Sequence, residues 1–157
     1  NGYLYPSRNG AYGLQYGYPS NPKILRSDLN DNVLGVNTNY SEKTTGLVHS
    51  PILGWAYDGN PIYGPYGYSN PVDATSAIAR QTSSFALNTA ANSNRPSTTK
   101  YPLGSFVNDY TFTQGSGTLD VNNGRFCKTP EYPDGRYCYF LTVDNFGNGV
   151  YPYILGT

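Results

Sequence analysis

Glycine and proline recur so often along this chain that a long helix has no room to form. There are 18 Gly and 12 Pro in 157 residues. Relative to alanine, a helix interior loses about 1 kcal/mol for each Gly and about 3 for each Pro. What remains between the breakers is a series of short extended runs. The expected fold class is all-β: a compact, antiparallel, sandwich-like domain with long ordered loops and at most one short helix. The length suits one domain over residues 1–157. The chain starts at Asn1 and has no Met, which reads as a segment of a longer or processed polypeptide.

Composition narrows the function classes. Lys plus Arg is 10, Asp plus Glu is 10, and only 13% of residues are charged. That leaves no basic field for a phosphate backbone, so nucleic acid is not an expected partner. No apolar run approaches the roughly 18–20 residues that span a bilayer, so a membrane is not expected either. The 17 Tyr and 6 Phe argue against disorder, because disordered chains lack aromatics.

Along the chain, residues 1–22 read as a packed aromatic loop, with a short strand at Tyr3-Leu4-Tyr5. KILR (23–26) and VLGVNTNY (33–40) read as strands. Between them, Asp28-Leu29-Asn30-Asp31-Asn32 looks like half of a calcium loop, but Val33 stands where that loop needs Gly and Asn39 where it needs a carboxylate. A solvated Asx turn is the expectation there. In residues 47–68, two β-type runs flank Asp58-Gly59, a strong hairpin signal with Gly59 at φ > 0. Residues 71–96 are Ala-rich and the one plausible place for a helix, capped by Asp73 or Thr75, but the imperfect periodicity and the many Thr and Ser predict one or two short turns inside a long surface insertion rather than a long helix. Residues 101–157 return to strands and turns.

Four strings carry a resemblance over nearly the whole chain: HSPILGWAYDGNPIYGPYGY from His49, LDVNNGRF from Leu119, TPEYPDGRYCYFLTV from Thr129 and FGNGVYPYILG from Phe146, with NGYLYP at the start. In order and spacing these resemble the YHYH domain family, most closely the version carried in large virion structural (tail) proteins of cyanophages and other marine phages. The family takes its name from a Tyr-His-Tyr-His strand. Here the matching residues are Tyr137-Cys138-Tyr139-Phe140, so any role resting on those histidines does not transfer, and only His49 remains.

The candidate residues divide as follows. A lone His49 with no paired Cys motif makes no expected metal site, and no cofactor is expected. Ser50 is adjacent to His49 and points away from it on an extended chain, which disfavours a catalytic triad. The expected role of His49 is structural, a ring hydrogen bond to the backbone before Pro51. Cys127 and Cys138 bracket a Pro- and Gly-rich loop and suit a disulfide across a hairpin; two buried thiols are the alternative. Trp55, in the most apolar run, is expected in the core. Tyr12, Tyr16, Tyr18, Tyr63, Tyr66 and Tyr68 are expected at the surface, as subunit contacts, as platforms for a sugar or as packed loops. The function expected is a non-enzymatic structural domain of a phage virion (tail, baseplate or fibre) or a similar extracellular assembly, whose partners are other subunits. The alternatives are a carbohydrate-binding adhesion module, with surface glycans as partners, and a protomer of an extracellular fibril.

Overall fold

The computed structural model describes residues 3–6, 14–17, 21–36, 39–90 and 94–156. In chain order the elements are β1 (Tyr3–Pro6), β2 (Leu14–Gly17), α1 (Lys23–Asp28), β3 (Val33–Val36), β4 (Asn39–Glu42), β5 (Ile52–Trp55), β6 (Pro61–Tyr63), β7 (Tyr66–Tyr68), β8 (Ile78–Arg80) and β9 (Phe85–Leu87). A 3-10 turn (Val107–Asp109), β10 (Tyr110–Phe112), β11 (Gly124–Cys127) and β12 (Arg136–Phe140) follow. The all-β expectation holds. Among the described residues the strands are short and form five small sheets. Four are two-stranded (β1–β2, β3–β4, β7–β8, β9–β10), and one is four-stranded in the order β11–β12–β6–β5. One pair breaks the antiparallel pattern: β12 runs parallel to β6, with Phe140 beside Tyr63. The long connection between the two strands permits this, since parallel neighbours need a crossover.

One element expectation is corrected. KILR is the body of α1 rather than a strand. Pro22 sets the entry to the helix, and Arg26 is drawn inward to two carboxylates. The described residues of 71–96 form turns and short strands rather than a long helix, as expected. Their Ser and Thr form side-chain turns, with Asp73 accepting from the Thr75 N–H and hydroxyl at 2.8 and 2.7 Å. β8 and β9 then leave to pair with β7 and β10. Competition of Asp, Ser and Thr side chains for the backbone outweighs the propensity of Ala.

The Asx-turn expectation at 28–32 fails for Asp31, which is 1% exposed. Its Oδ2 accepts from Arg26 Nε at 2.6 Å, and its Oδ1 from Ser50 Oγ and the Asn32 N–H, each at 2.7 Å. The fully buried Arg26 also reaches Glu42 with both Nη atoms, at 2.7 and 2.8 Å. This polar knot ties α1, β4 and the loop before β5 together. Gly64 stands against it, and a Cβ there would lie 2.7 Å from Asp31 Oδ2 and 2.8 Å from Ser50 Oγ.

The apolar core lies on the inner face of the four-stranded sheet: Tyr63, Leu119, Cys127, Cys138 and Phe140, with Ile52 packed against them. At the tip of β5–β6, Gly59 has φ +79°, as its place after Asp58 requires. Asp58 Oδ1 accepts from the Asn60 N–H at 2.9 Å, and Ala56 N–H closes the five-residue loop onto the Asn60 carbonyl at 2.9 Å.

Candidate functional site: two faces of one sheet

Strand alternation divides the side chains of β11 and β12 between two surfaces. Arg125, Cys127, Cys138 and Phe140 face inward and are buried; Phe126, Tyr137 and Tyr139 face outward. The register pairs Phe126 with Tyr137 and sets Tyr139 between Gly124 and Ile62.

On the inner face, His49 sits among rings. Its centroid is 5.2 Å from Tyr63, 5.0 Å from Tyr68 and 6.4 Å from Phe140. Nδ1 lies 2.8 Å from the Ser50 carbonyl, the backbone bond expected of it. Burial, with Arg125 adding to it, lowers the pKa of His49. Tyr63 and Tyr66 are corrections: both were expected at the surface and both are buried, at 0% and 4% exposure. They enter the core because the fold supplies partners for their hydroxyls. Tyr63 OH donates to Glu131 at 2.8 Å and lies 2.9 Å from Thr129 Oγ1. Tyr66 OH donates to Glu42 at 3.2 Å, and burial beside that carboxylate pushes its pKa up to about 12. Tyr68 is half-buried against His49. Tyr16 falls in β2 opposite Leu4, while Tyr12 and Tyr18 lie outside the described residues.

The cysteines also depart from the expectation. Cys127 pairs with Arg136 and Cys138 with Arg125, so the two sulfurs are diagonal rather than opposed. Both are free and fully buried. Diagonal residues on an antiparallel pair stand about 7–8 Å apart, beyond the usual Cα separation of a disulfide.

The outer face is aromatic, and two glycines make room for its rings. A Cβ at Gly124 would lie 2.5 Å from the Tyr137 hydroxyl, and one at Gly135 (φ +96°) would lie 2.6 Å from the Phe126 ring. Tyr137 and Tyr139 meet edge to face at 5.3 Å. Carboxylates hold their hydroxyls: Tyr137 OH donates to Asp120 at 2.8 Å, and Tyr139 OH to Asp58 at 2.7 Å. That bond and burial push Tyr139 up to about 12, while the Asn60 N–H and the Tyr139 hydroxyl hold Asp58 below the ordinary carboxylate range. At the far end of this face, Pro22 and Leu25 of the α1 segment and Ile154 cover Ile62 and Gly54, leaving an apolar cavity of about 110 Å³.

Trp55 corrects another expectation. It is 57% exposed rather than in the core. β5 is an edge strand with a register shift between Ile52 and Gly54, and Trp55 pairs with Pro61 at the hairpin end, past the last core residue. Beside it Tyr57 is fully exposed on the loop, and across the sheet Phe126 is 62% exposed. Arg136 anchors this end by donating to the Gly59 carbonyl at 2.7 Å and lying over the Tyr132 ring. Sequence reasoning missed Phe126, Tyr137 and Tyr139 as surface aromatics, although alternation with the cysteines places them opposite the core.

Comparison with curated proteins and with solved structures finds no match. The family model for YHYH proteins matches residues 9–153. Its span takes in the Asp58-Gly59 hairpin, the Asp120 turn and all four strands of the central sheet, and on that match the chain belongs to the YHYH protein family.

Proposed function

We propose that this chain is a non-enzymatic structural domain of a larger assembly, of the virion kind found in phage tails, baseplates or fibres, and that it makes its contacts through the aromatic end of the four-stranded sheet. The observation that carries this reading is the exposure of Trp55, Tyr57 and Phe126 around the anchored hairpin tip. Large rings left in water on a rigid sheet are what interfaces are enriched in. Low charge supports the same reading, since few like charges keep copies apart. The buried ionic groups Arg26, Asp31 and Glu42 are hydrogen-bonded to one another, an arrangement suited to rigidity.

The second reading, a carbohydrate-binding module, is favoured by the carboxylates Asp58 and Asp120 beside Tyr139 and Tyr137. Against it, these two rings stand at 89° and offer no common plane on which a sugar can stack. Sedimentation over a concentration series separates the two readings. The assembly reading expects self-association, or a stable complex with a neighbouring virion subunit, burying more than about 1,000 Å², and expects Tyr57→Ser with Phe126→Ser to abolish it. A chain that stays monomeric and binds a glycan in a Tyr139-dependent way overturns that reading in favour of the second.

A further inference from the structure

β5 ends the four-stranded sheet, and among the described residues no strand pairs with its outer edge. Edges of this kind are ordinarily guarded by charge. Here the run from Ser50 to Tyr57 carries no charged residue. What marks the edge instead is the register shift between Ile52 and Gly54.

The backbone bonds on either side of that shift fix which groups β5 turns outward. The Gly64 N–H donates to the Pro51 carbonyl at 3.2 Å, and the Ala56 N–H to the Asn60 carbonyl at 2.9 Å. These bonds flank the pairs Ile52–Tyr63 and Trp55–Pro61. In an antiparallel ladder, a residue whose neighbours make the bonds points its own N–H and C=O to the opposite side. Ile52 and Trp55 therefore present their backbone groups away from β6. They stand three residues apart, whereas outward-pointing residues on a regular strand alternate and stand two apart. The additional residue is that of a bulge.

This spacing chooses the partner. A regular strand laid along β5 meets Ile52 or Trp55, but not both in register. A second β5, run antiparallel, has the same bulge and the same spacing. Ile52 then faces Trp55 of the second copy, Trp55 faces its Ile52, and Leu53 faces its Gly54. Gly54 suits such an approach. Its φ is not left-handed, and a Cβ built on it meets no atom within 4 Å, so neither conformation nor packing within the chain requires glycine there. A glycine inside a strand is a place where another backbone comes close. Gly54 also lines the apolar cavity of about 110 Å³, together with Leu53 and Ile62. A cavity lined by apolar residues stays dry and accepts an apolar group, and Leu53 of the second copy lies at its mouth. Trp55, 57% exposed, is covered by the half-buried Ile52 across the pair.

We propose that two copies of this chain associate through β5, antiparallel about a two-fold axis, and join their four-stranded sheets into one continuous sheet. The pairing rests on the reading of this end of the sheet as a contact surface, and it names the partner as a second copy. The formal net charge of zero sets up no repulsion between copies. An isologous contact closes on itself, so the bulge that keeps regular strands off this edge also limits it to a single partner.

Sedimentation velocity of the full chain over a concentration series tests this, with amide hydrogen exchange followed on the same samples. Expected are a dimer, and exchange at the Ile52 and Trp55 N–H groups that slows as concentration rises. Gly54→Asp places its side chain in open space and leaves the urea midpoint unchanged. In the pair it sets two carboxylates beside one another across the axis, and it weakens association at least about a hundredfold. Gly54→Lys alone does the same, while an equimolar mixture of Gly54→Asp and Gly54→Lys regains the dimer. Should Gly54→Asp not fold, Leu53→Ala carries the test and weakens association at least about tenfold. A monomer at every concentration up to about 1 mM, a dimer indifferent to folded Gly54→Asp, a mixture that stays monomeric, or exchange at Ile52 and Trp55 that ignores concentration overturns the pairing. Self-association that needs Tyr57 and Phe126 but is indifferent to Gly54→Asp, or a complex formed only with a different subunit, removes the β5 pairing and leaves the assembly reading standing.

Discussion

Removing the Arg26 guanidinium tests whether the buried ionic knot holds the helix to the sheets. Arg26→Met keeps much of the side-chain volume and deletes the cation. It strands Glu42, which receives two of the guanidinium's bonds, and Asp31, which receives a third. All three residues are essentially inaccessible to water, at 0%, 1% and 8% exposure. Taking one partner from a buried pair costs about 3–5 kcal/mol, a large share of the about 5–15 kcal/mol that a domain has. Asp31 still keeps Ser50 and the Asn32 N–H, and Glu42 keeps Tyr66, which places the expected loss at the lower end of that range. Equilibrium urea unfolding measures it: at an m-value of about 2 kcal/mol/M, the midpoint falls by about 1.5 M with m unchanged. Arg26→Met combined with Glu42→Met removes one of the two carboxylates that face the vanished cation, and is expected to lose less than the two single changes together, with a coupling of about 1–3 kcal/mol. A loss under about 1 kcal/mol in Arg26→Met, or strict additivity in the double variant, refutes the reasoning.

Gly59→Val is expected to destabilise by more than about 1 kcal/mol, because φ is +79° and a β-branched residue resists that region; Gly59→Asn costs less, and equal urea midpoints for the two variants count against a backbone cause. Asp109 is held well below the ordinary carboxylate range by Arg95, and by the Phe106 and Gly104 N–H groups. Its contribution is therefore complete above the unfolded carboxyl value of about 3.9 and lost as pH falls below it, so Asp109→Asn unfolds with a shallower acid slope between pH about 5 and 2. His49 is lowered by burial and is the single histidine of the chain. The unfolded chain then takes up a proton near pH 6.5 that the folded one refuses, and stability declines as pH falls from about 7 to 5, by up to about 1.4 kcal/mol per unit. His49→Phe is expected to flatten that window, and an unchanged slope excludes His49 as its source.

Much of the fold was legible because turn chemistry is local. The Asp58-Gly59 hairpin, the absence of long helices among the described residues and the pairing of β11 with β12 follow from residues next to one another in sequence. What failed was decided by partners far along the chain. KILR has a strand-like composition, yet Arg26 reaches Glu42 across 16 positions, and a helical turn delivers it there. Asp31 sits in an Asx-turn sequence, and Ser50, 19 residues on, draws it inside.

The aromatic residues show the same limit more sharply. A tyrosine can enter a core wherever something answers its hydroxyl, and nothing local announces that answer. Tyr63 is met by Glu131 and Thr129, more than 60 residues away, and Tyr66 by Glu42. Trp55 erred in the opposite direction: its apolar neighbours suggested burial, but an edge strand carries it past the end of the core. The period-2 pattern of Arg125-Phe126-Cys127 and Tyr137-Cys138-Tyr139-Phe140 held the better signal. It assigns the cysteines, Arg125 and Phe140 to one face and Phe126, Tyr137 and Tyr139 to the other before any partner is known. The two positions that carry histidine in the family's name strand are Cys138 and Phe140, and both face inward beside Arg125. With a sulfur and a ring in those places, the inner face of the sheet closes into the core, while the outer face of the same strands keeps the rings that meet water.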